Sequence, residues 1–279
     1  MLCAMAEPEI LKDEPHRPVV RIGDTVRRPV QPWTPAVHGL LRHLESVGFP
    51  YSPRVLGIDD EGREVLTYLE GESGTDGLAK VVDDRGLVAM ARLLREYHEA
   101  VAGYRPAGAR WALTIATTGA ADPPSPGELI CHGDFGPWNL VWRGTEPVGI
   151  IDWDYALPHP PLWDVAYALE YVAPFRDDAE CLRSLRYPAP PDRRARLERF
   201  ATAYGLTDLT GLADAVIDQQ QSVLDWSLRL ADEGHQPFLA WRGSGHFDGV
   251  AERVRWSRAN RHLFSAAPPT SASSSPHAP

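Results

Sequence analysis

Before residue 70 the chain alternates apolar and polar positions in short runs. Val19–Ile22 and Thr25–Arg28 flank a Gly23–Asp24 turn and predict a β-hairpin, because Gly and Asp tolerate the positive φ of tight turns. Arg54–Ile58 and Arg63–Leu69 predict two more strands around Asp59-Asp60-Glu61-Gly62. Between the two pairs the period changes. Val37, Leu40, Leu41 and Leu44 recur at helical spacing, with Thr34 as the expected cap, Pro35 at the first helical position and Gly48 as the stop. Leu87, Met90, Leu94, Tyr97 and Val101 then fall on one face of a helix running from Asp83 to Val101. Past residue 160 the helical pattern dominates, at 164–173, 192–204, 211–234 and 248–263.

These elements predict an α+β chain of two lobes: a small β-rich lobe over 17–70, a hinge over 71–82, and a larger, mainly helical lobe over 83–264 with a hairpin at its centre. Residues 1–16 are polar and broken by proline, which predicts a loose arm. Residues 265–279 hold only Ser, Ala, Pro, Thr and one His, a composition with nothing to bury, and are expected to be disordered.

The composition narrows the function classes. With 43% hydrophobic and 24% charged residues over 279 positions, a sizeable core is available. A net charge of −10 argues against general binding to nucleic acid or to an anionic membrane, both of which present negative surfaces. No apolar run approaches the roughly 18 residues of a membrane helix, and the start of the chain lacks the basic region of a secretory signal. Cys3, Cys131 and Cys181 show no paired spacing, so a reduced, cytoplasmic protein is expected. Lysine occurs only at Lys12 and Lys80, leaving 26 of the 28 cations as arginine. Chemistry that needs a lysine therefore has two candidates at most.

The segment from Glu128 to Asp154 carries the chemistry. It reads as an apolar strand end, a polar loop His132-Gly133-Asp134-Phe135-Gly136-Pro137-Trp138-Asn139, a strand Leu140–Trp142, a turn, and a strand Val148–Ile151 ending in Asp152-Trp153-Asp154. Pairing the two strands as a hairpin brings Asn139 and Asp152 out at one open end, with Asp134 hanging from the loop beside them. Hard oxygen donors of this kind suit Mg²⁺, which takes one or two carboxylates and completes its shell with water and phosphate oxygens. A carboxylate left uncommitted to metal can orient a hydroxyl and accept its proton. This is the division of labour in phosphoryl transfer.

His132-x-Asp134-x-x-x-x-Asn139 has the spacing of the protein-kinase catalytic loop, and Asp152 stands where the Asp of D-F-G would. The wording His-Gly-Asp-x-x-x-x-Asn, then Ile-Asp-Trp-Asp, then Pro-Leu-Trp163-Asp164-Val-Ala resembles the aminoglycoside phosphotransferase and choline kinase-like family. The resemblance implies the two-lobed protein-kinase-like fold and transfer of the γ-phosphate of ATP or GTP, with Mg²⁺, to a hydroxyl of a small molecule. It also implies roles: Asp134 as catalytic base, Asn139 and Asp152 as magnesium ligands, His132 and Asp164 as structural support, and Tyr68, Leu69 and Glu70 along the adenine through backbone groups. Asp164 is expected to cap its helix and tie down the loop, and His98 to be structural. Asp154 is open between a metal neighbour, a substrate contact and a surface charge, with the last two favoured. Trp138 and Trp153 read as packing aromatics, and Asp214, Asp218 and Asp225 as a solvated helix face.

The small lobe departs from the family pattern. Lys12–Pro18 holds no glycine where a phosphate-covering loop should carry several, and neither lysine stands on a suitable strand. Strand alternation makes Arg28 the best substitute and Arg27 the second. The helix glutamate that would clamp the lysine falls near His38, with Glu45 one to two turns later. These departures motivate an alternative, a catalytically weak kinase-fold ligand-binding or immunity protein.

Overall fold

The computed structural model describes residues 7–13, 17–113 and 124–265. Strands β1 (Glu9–Lys12), β2 (Val19–Ile22), β3 (Thr25–Pro29), β4 (Val55–Ile58) and β5 (Arg63–Thr67) form an antiparallel sheet in the order β1-β2-β3-β5-β4. Helix α1 (Thr34–Ser46) lies between β3 and β4 in sequence and buries Val37, Leu40, Leu41 and Leu44. Alternation along β5 buries Glu64 and Leu66, and the β3–β5 register sets Arg28 opposite Glu64.

The structure corrects three local expectations. Residues 9–12, expected in the loose arm, are a strand, with Glu9 opposite Arg21 and Ile10 opposite Val20. All four of its side chains are exposed, so its ladder holds it and no burial pattern announces it. Residues 77–82, expected in the hinge, form α2 (Gly77–Val82), which buries Val81. A Cβ on Gly77 would stand 2.0 Å from the carbonyl oxygen of Pro137, so this helix lies directly against the polar loop. At the start of α1 the cap position is Trp33, and Thr34 Oγ1 instead accepts from the Gln31 N–H at 2.9 Å. The remainder of the arm, 1–6 and 14–16, and the tail beyond Ser265 lie outside the described residues.

The second lobe opens with α3 (Asp84–Val101), capped by Asp83, whose carboxylate accepts from the Arg85 N–H at 2.8 Å. Short strands β6 (Leu129–Cys131) and β9 (Leu157–His159) pair, and β7 (Leu140–Arg143) and β8 (Glu146–Ile150) form the central hairpin. Helices α4 (Leu162–Val172), α5 (Asp178–Ser184), α6 (Arg193–Tyr204), α7 (Leu212–Asp232), α8 (Phe238–Gly243) and α9 (His246–Ala259) complete it. One apolar core runs from α1 through α3 and the hairpin to α4, α6 and α7. The chain between the lobes is pinned to β7, since Glu72 and Trp142 exchange backbone hydrogen bonds at 2.9 and 2.7 Å. No helix among the described residues is long and apolar enough to cross a membrane.

Candidate active site

The polar loop is held from below by buried groups. Asp164, fully buried in the first turn of α4, accepts from the backbone N–H of His132 at 2.7 Å and of Gly133 at 2.9 Å, and from His98 Nε2 at 3.1 Å. The helix starts at Leu162 behind Pro161, so Asp164 is not its cap; its carboxylate is turned to the loop. Burial pushes the Asp164 pKa up, but the hydrogen bond and charge of His98 and the Gly133 N–H hold it below the usual carboxylate value. His98 Nδ1 meets the Tyr204 hydroxyl at 2.7 Å, which fixes that ring in turn. Gly133 adopts φ +83°, and a Cβ there would stand 2.0 Å from the Tyr155 carbonyl oxygen, so both conformation and space require glycine.

His132 has no solvent exposure. Its Nδ1 accepts from the Asp134 N–H at 3.3 Å and its Nε2 donates to the Ile151 carbonyl at 3.0 Å, which fits a neutral ring. Burial lowers its pKa accordingly. The imidazole thus joins the loop to the end of β8.

Asp134 is presented by this braced loop. Asn139 Nδ2 donates to its carboxylate at 2.8 Å and to its carbonyl at 2.9 Å, and the Tyr167 hydroxyl donates to its other carboxylate oxygen. Burial pushes the Asp134 pKa up to about 7, helped by the charge of Asp152 and opposed by the hydrogen bonds from Tyr167 and Asn139. The Ile151 N–H donates to the Asn139 carbonyl at 2.9 Å, which ties the two hairpin ends together. Asp152, next in the chain, adopts φ +61° and leaves its side chain 35% exposed. Asp134, Asn139 and Asp152 therefore gather at one end of the hairpin.

The small lobe closes over this end through arginine. Arg28 donates from Nε to Glu64 at 2.6 Å, while its Nη2 lies 3.1 Å from Asp154 and its Nη1 3.7 Å from Asp152. Glu64, 1% exposed, also meets His38 Nε2 at 2.8 Å. Arg27, the second-ranked substitute, lies elsewhere. Alternation turns it to the opposite face, where it bonds Thr25 and lies 3.5 Å from Asp59. Glu45 faces Arg54 at 3.8 Å at the surface.

Asp154 is not a surface charge. It is 4% exposed, and its carboxylate is engaged by Arg28, by Arg17 and by Trp33 Nε1 at 3.1 Å. At the lobe junction two of the backbone groups expected to meet adenine are also engaged: the Tyr68 N–H donates to the Asp24 carbonyl at 2.8 Å, and the Glu70 carbonyl accepts from Arg143 at 3.3 Å. Leu69 packs against the hairpin at Gly149. Trp153 is buried among Tyr97 and His132, and Trp138 meets Tyr171 edge-on at a centroid distance of 4.5 Å.

Four residues of this centre escaped sequence reasoning: Tyr167, Glu64, Arg17 and Trp33. Tyr167 had a usable signal, since it follows Asp164 by three residues and so shares its helix face. Glu64 stands at a buried position of an alternating strand. Arg17 and Trp33 had none, because neither lies in a periodic element that predicts its direction.

Residues 102–213 match the family model described as the phosphotransferase enzyme family. A curated relative, a trifolitoxin immunity protein of Rhizobium leguminosarum bv. trifolii, is 35% identical over 163 residues, a match that spans 57% of this chain and 60% of that protein. Among solved structures, a choline/ethanolamine kinase family protein from Mesorhizobium loti is 19% identical and superposes with a TM-score of 0.57 over 92% of this chain and 91% of its own. A GDP complex of aminoglycoside 2'-phosphotransferase-IIIa gives 17% identity, a TM-score of 0.55, and 93% and 95% coverage. The amicoumacin kinase hAmiN, solved with AMP-PNP, Ca²⁺ and Ami, gives 14%, 0.57, and 90% and 88%. The resemblance to the aminoglycoside phosphotransferase and choline kinase-like family is borne out, and the chain has the two-lobed α+β kinase-like fold.

Proposed function

We propose that this protein is a phosphotransferase that moves the γ-phosphate of ATP or GTP to a hydroxyl group of a small molecule, with Mg²⁺. The observation that carries the reading is the gathering of Asp134, Asn139 and Asp152 at one end of a hairpin, beside a loop braced by Asp164, the Ile151 carbonyl and Asn139. In this reading Asp134 orients the acceptor hydroxyl and takes its proton as the oxygen bonds to the γ-phosphorus and the bond from that phosphorus to the departing ADP or GDP breaks. A carboxyl group with a pKa of about 7 is well matched to that work near neutral pH. Tyr167 and Asn139 fix the direction of the carboxylate, and His132 and Asp164 fix the loop beneath it.

The donor set fits a hard divalent cation. Asn139 commits its amide nitrogen to Asp134, which leaves its amide oxygen as the donor, and the partly exposed Asp152 supplies a carboxylate. Asn139 and Asp152 would hold the ion, whose charge offsets the negative charge of the phosphates. Arg28, on β3, is the cation available to the phosphates in place of a lysine. The acceptor is proposed as a small molecule with a free hydroxyl, a group that choline, ethanolamine and aminoglycosides, which appear in the names of structural neighbours, all carry.

A second reading, a kinase-fold binding or immunity protein with weak catalysis, is favoured by the arginines that sit on Asp154 and by the curated relative's name. Nucleotide consumption with Mg²⁺, screened against aminoglycosides, choline-like alcohols, sugars and nucleosides, separates the two. Acceptor-dependent consumption supports phosphotransfer. Ligand binding with no consumption across the panel supports the second reading.

A further inference from the structure

Arg17 and Arg28 approach the centre from separate elements and end on one carboxylate. Arg17 stands at the end of the β1–β2 connection, where this fold's glycine loop would lie, and Arg28 stands on β3. Both reach Asp154, from side chains 31% and 15% exposed. The guanidinium of Arg17 also lies over the Trp33 ring, 5.5 Å from its centroid. Without glycines, and with Pro18 lacking an N–H, this connection is poorly suited to cradling phosphates by backbone amides. A guanidinium supplies the same donors from a side chain, as a fork that matches phosphate oxygens.

We propose that Arg17 and Arg28 form a two-arginine clamp for the polyphosphate chain of the nucleotide, and that Asp154 is the counter-ion that stores both arginines until that chain arrives. The proposal rests on the phosphotransferase reading for the identity of the ligand. Glu64 aims the clamp. It holds Arg28 by Nε, so the Nη groups alone are left to exchange partners, and they already face Asp154 and Asp152 at 3.1 and 3.7 Å. Trp33 makes the exchange affordable, because its indole N–H stays on Asp154 when the arginines leave. A polyphosphate carries more negative charge than one carboxylate, so the transfer of two cations to it is downhill.

Calorimetric titration of inorganic tripolyphosphate and of Mg·ATP into the full chain tests the clamp without any turnover. Arg17→Gln should weaken both ligands by roughly tenfold or more, the scale of one charge-assisted contact, and Arg17→Lys should restore binding to within about threefold. Asp154→Asn removes the competitor and should tighten tripolyphosphate by about three- to tenfold, a gain that a merely structural aspartate would not give. Thermal melts establish that each variant is folded, and Arg17→Gln, at a partly exposed side chain, remains the deciding variant if Asp154→Asn is not. Wild-type affinity in Arg17→Gln, weaker binding in folded Asp154→Asn, or no binding of either ligand by the wild type overturns the clamp. Tripolyphosphate binding that follows these expectations, with no transfer to any acceptor, overturns the phosphotransferase reading and leaves the clamp standing.

Discussion

Arg28 and Glu64 face each other across the β3–β5 ladder, and the guanidinium Nε donates to the buried carboxylate at 2.6 Å. The strand cation is an arginine, its carboxylate partner stands on the neighbouring strand, and α1 contributes His38, which bonds the same Glu64 at 2.8 Å.

Glu64→Gln should destabilise the protein by about 3 kcal/mol, since removing one partner of a buried pair leaves the other unpaired. Burial raises the Glu64 pKa, but the His38 hydrogen bond and the Arg28 charge win and hold it below 4.5. A depressed carboxylate contributes stability above its unfolded value, and that contribution is lost as pH falls through the folded value. Urea midpoints should therefore drop below about pH 4.5 in the wild type, with a shallower drop in Glu64→Gln.

Asp134 has the opposite sign. Its pKa is raised from 3.8 to about 7 by burial and by Asp152, so the folded protein binds a proton that the unfolded chain has released. Stability contributed by this group is lost as pH rises from about 4 to about 7. In metal-free buffer Asp134→Asn should be more stable than the wild type at pH 8 by about 1–3 kcal/mol, and the gain should vanish toward pH 4. A variant less stable than the wild type at pH 8 contradicts this.

Tyr167→Phe removes the hydroxyl that donates to Asp134 and keeps the ring that meets Tyr171. Because it loosens the direction of the base without touching the nucleotide, kcat should fall roughly tenfold with little change in nucleotide KM. Equal kcat in steady-state assays would show that the hydroxyl does not orient the base.

Gly133→Ala places a Cβ 2.0 Å from the Tyr155 carbonyl oxygen in a backbone with φ +83°. The loop must shift away from Asp164, and stability should fall by about 2–4 kcal/mol in chemical denaturation.

Legibility from the sequence followed periodicity. The helical faces of α1 and α3 and the β7–β8 hairpin were legible because repeated apolar positions report a buried face. The loop from His132 to Asn139 was legible because its chemistry is local in sequence. Strand β1 was not, since its side chains face solvent and no burial pattern marks it. The Asp154 cluster was not, because Arg17, Trp33 and Arg28 come from three separate elements. The burial of Asp154 was not legible either, because one sequence cannot display which cations fold onto it. Arg28 could be chosen over Arg27 by strand alternation, but its partner Glu64 depended on a register that pattern does not give.

The most direct measurement compares wild type and Asp134→Ala for transfer of labelled γ-phosphate to an acceptor found in the screen, with nucleotide affinity measured alongside. Transfer should fall by about 10²–10⁴-fold in Asp134→Ala while nucleotide affinity stays within a few fold of the wild type. Undiminished transfer in Asp134→Ala would contradict the assignment of Asp134 as the base and with it the proposed reaction centre.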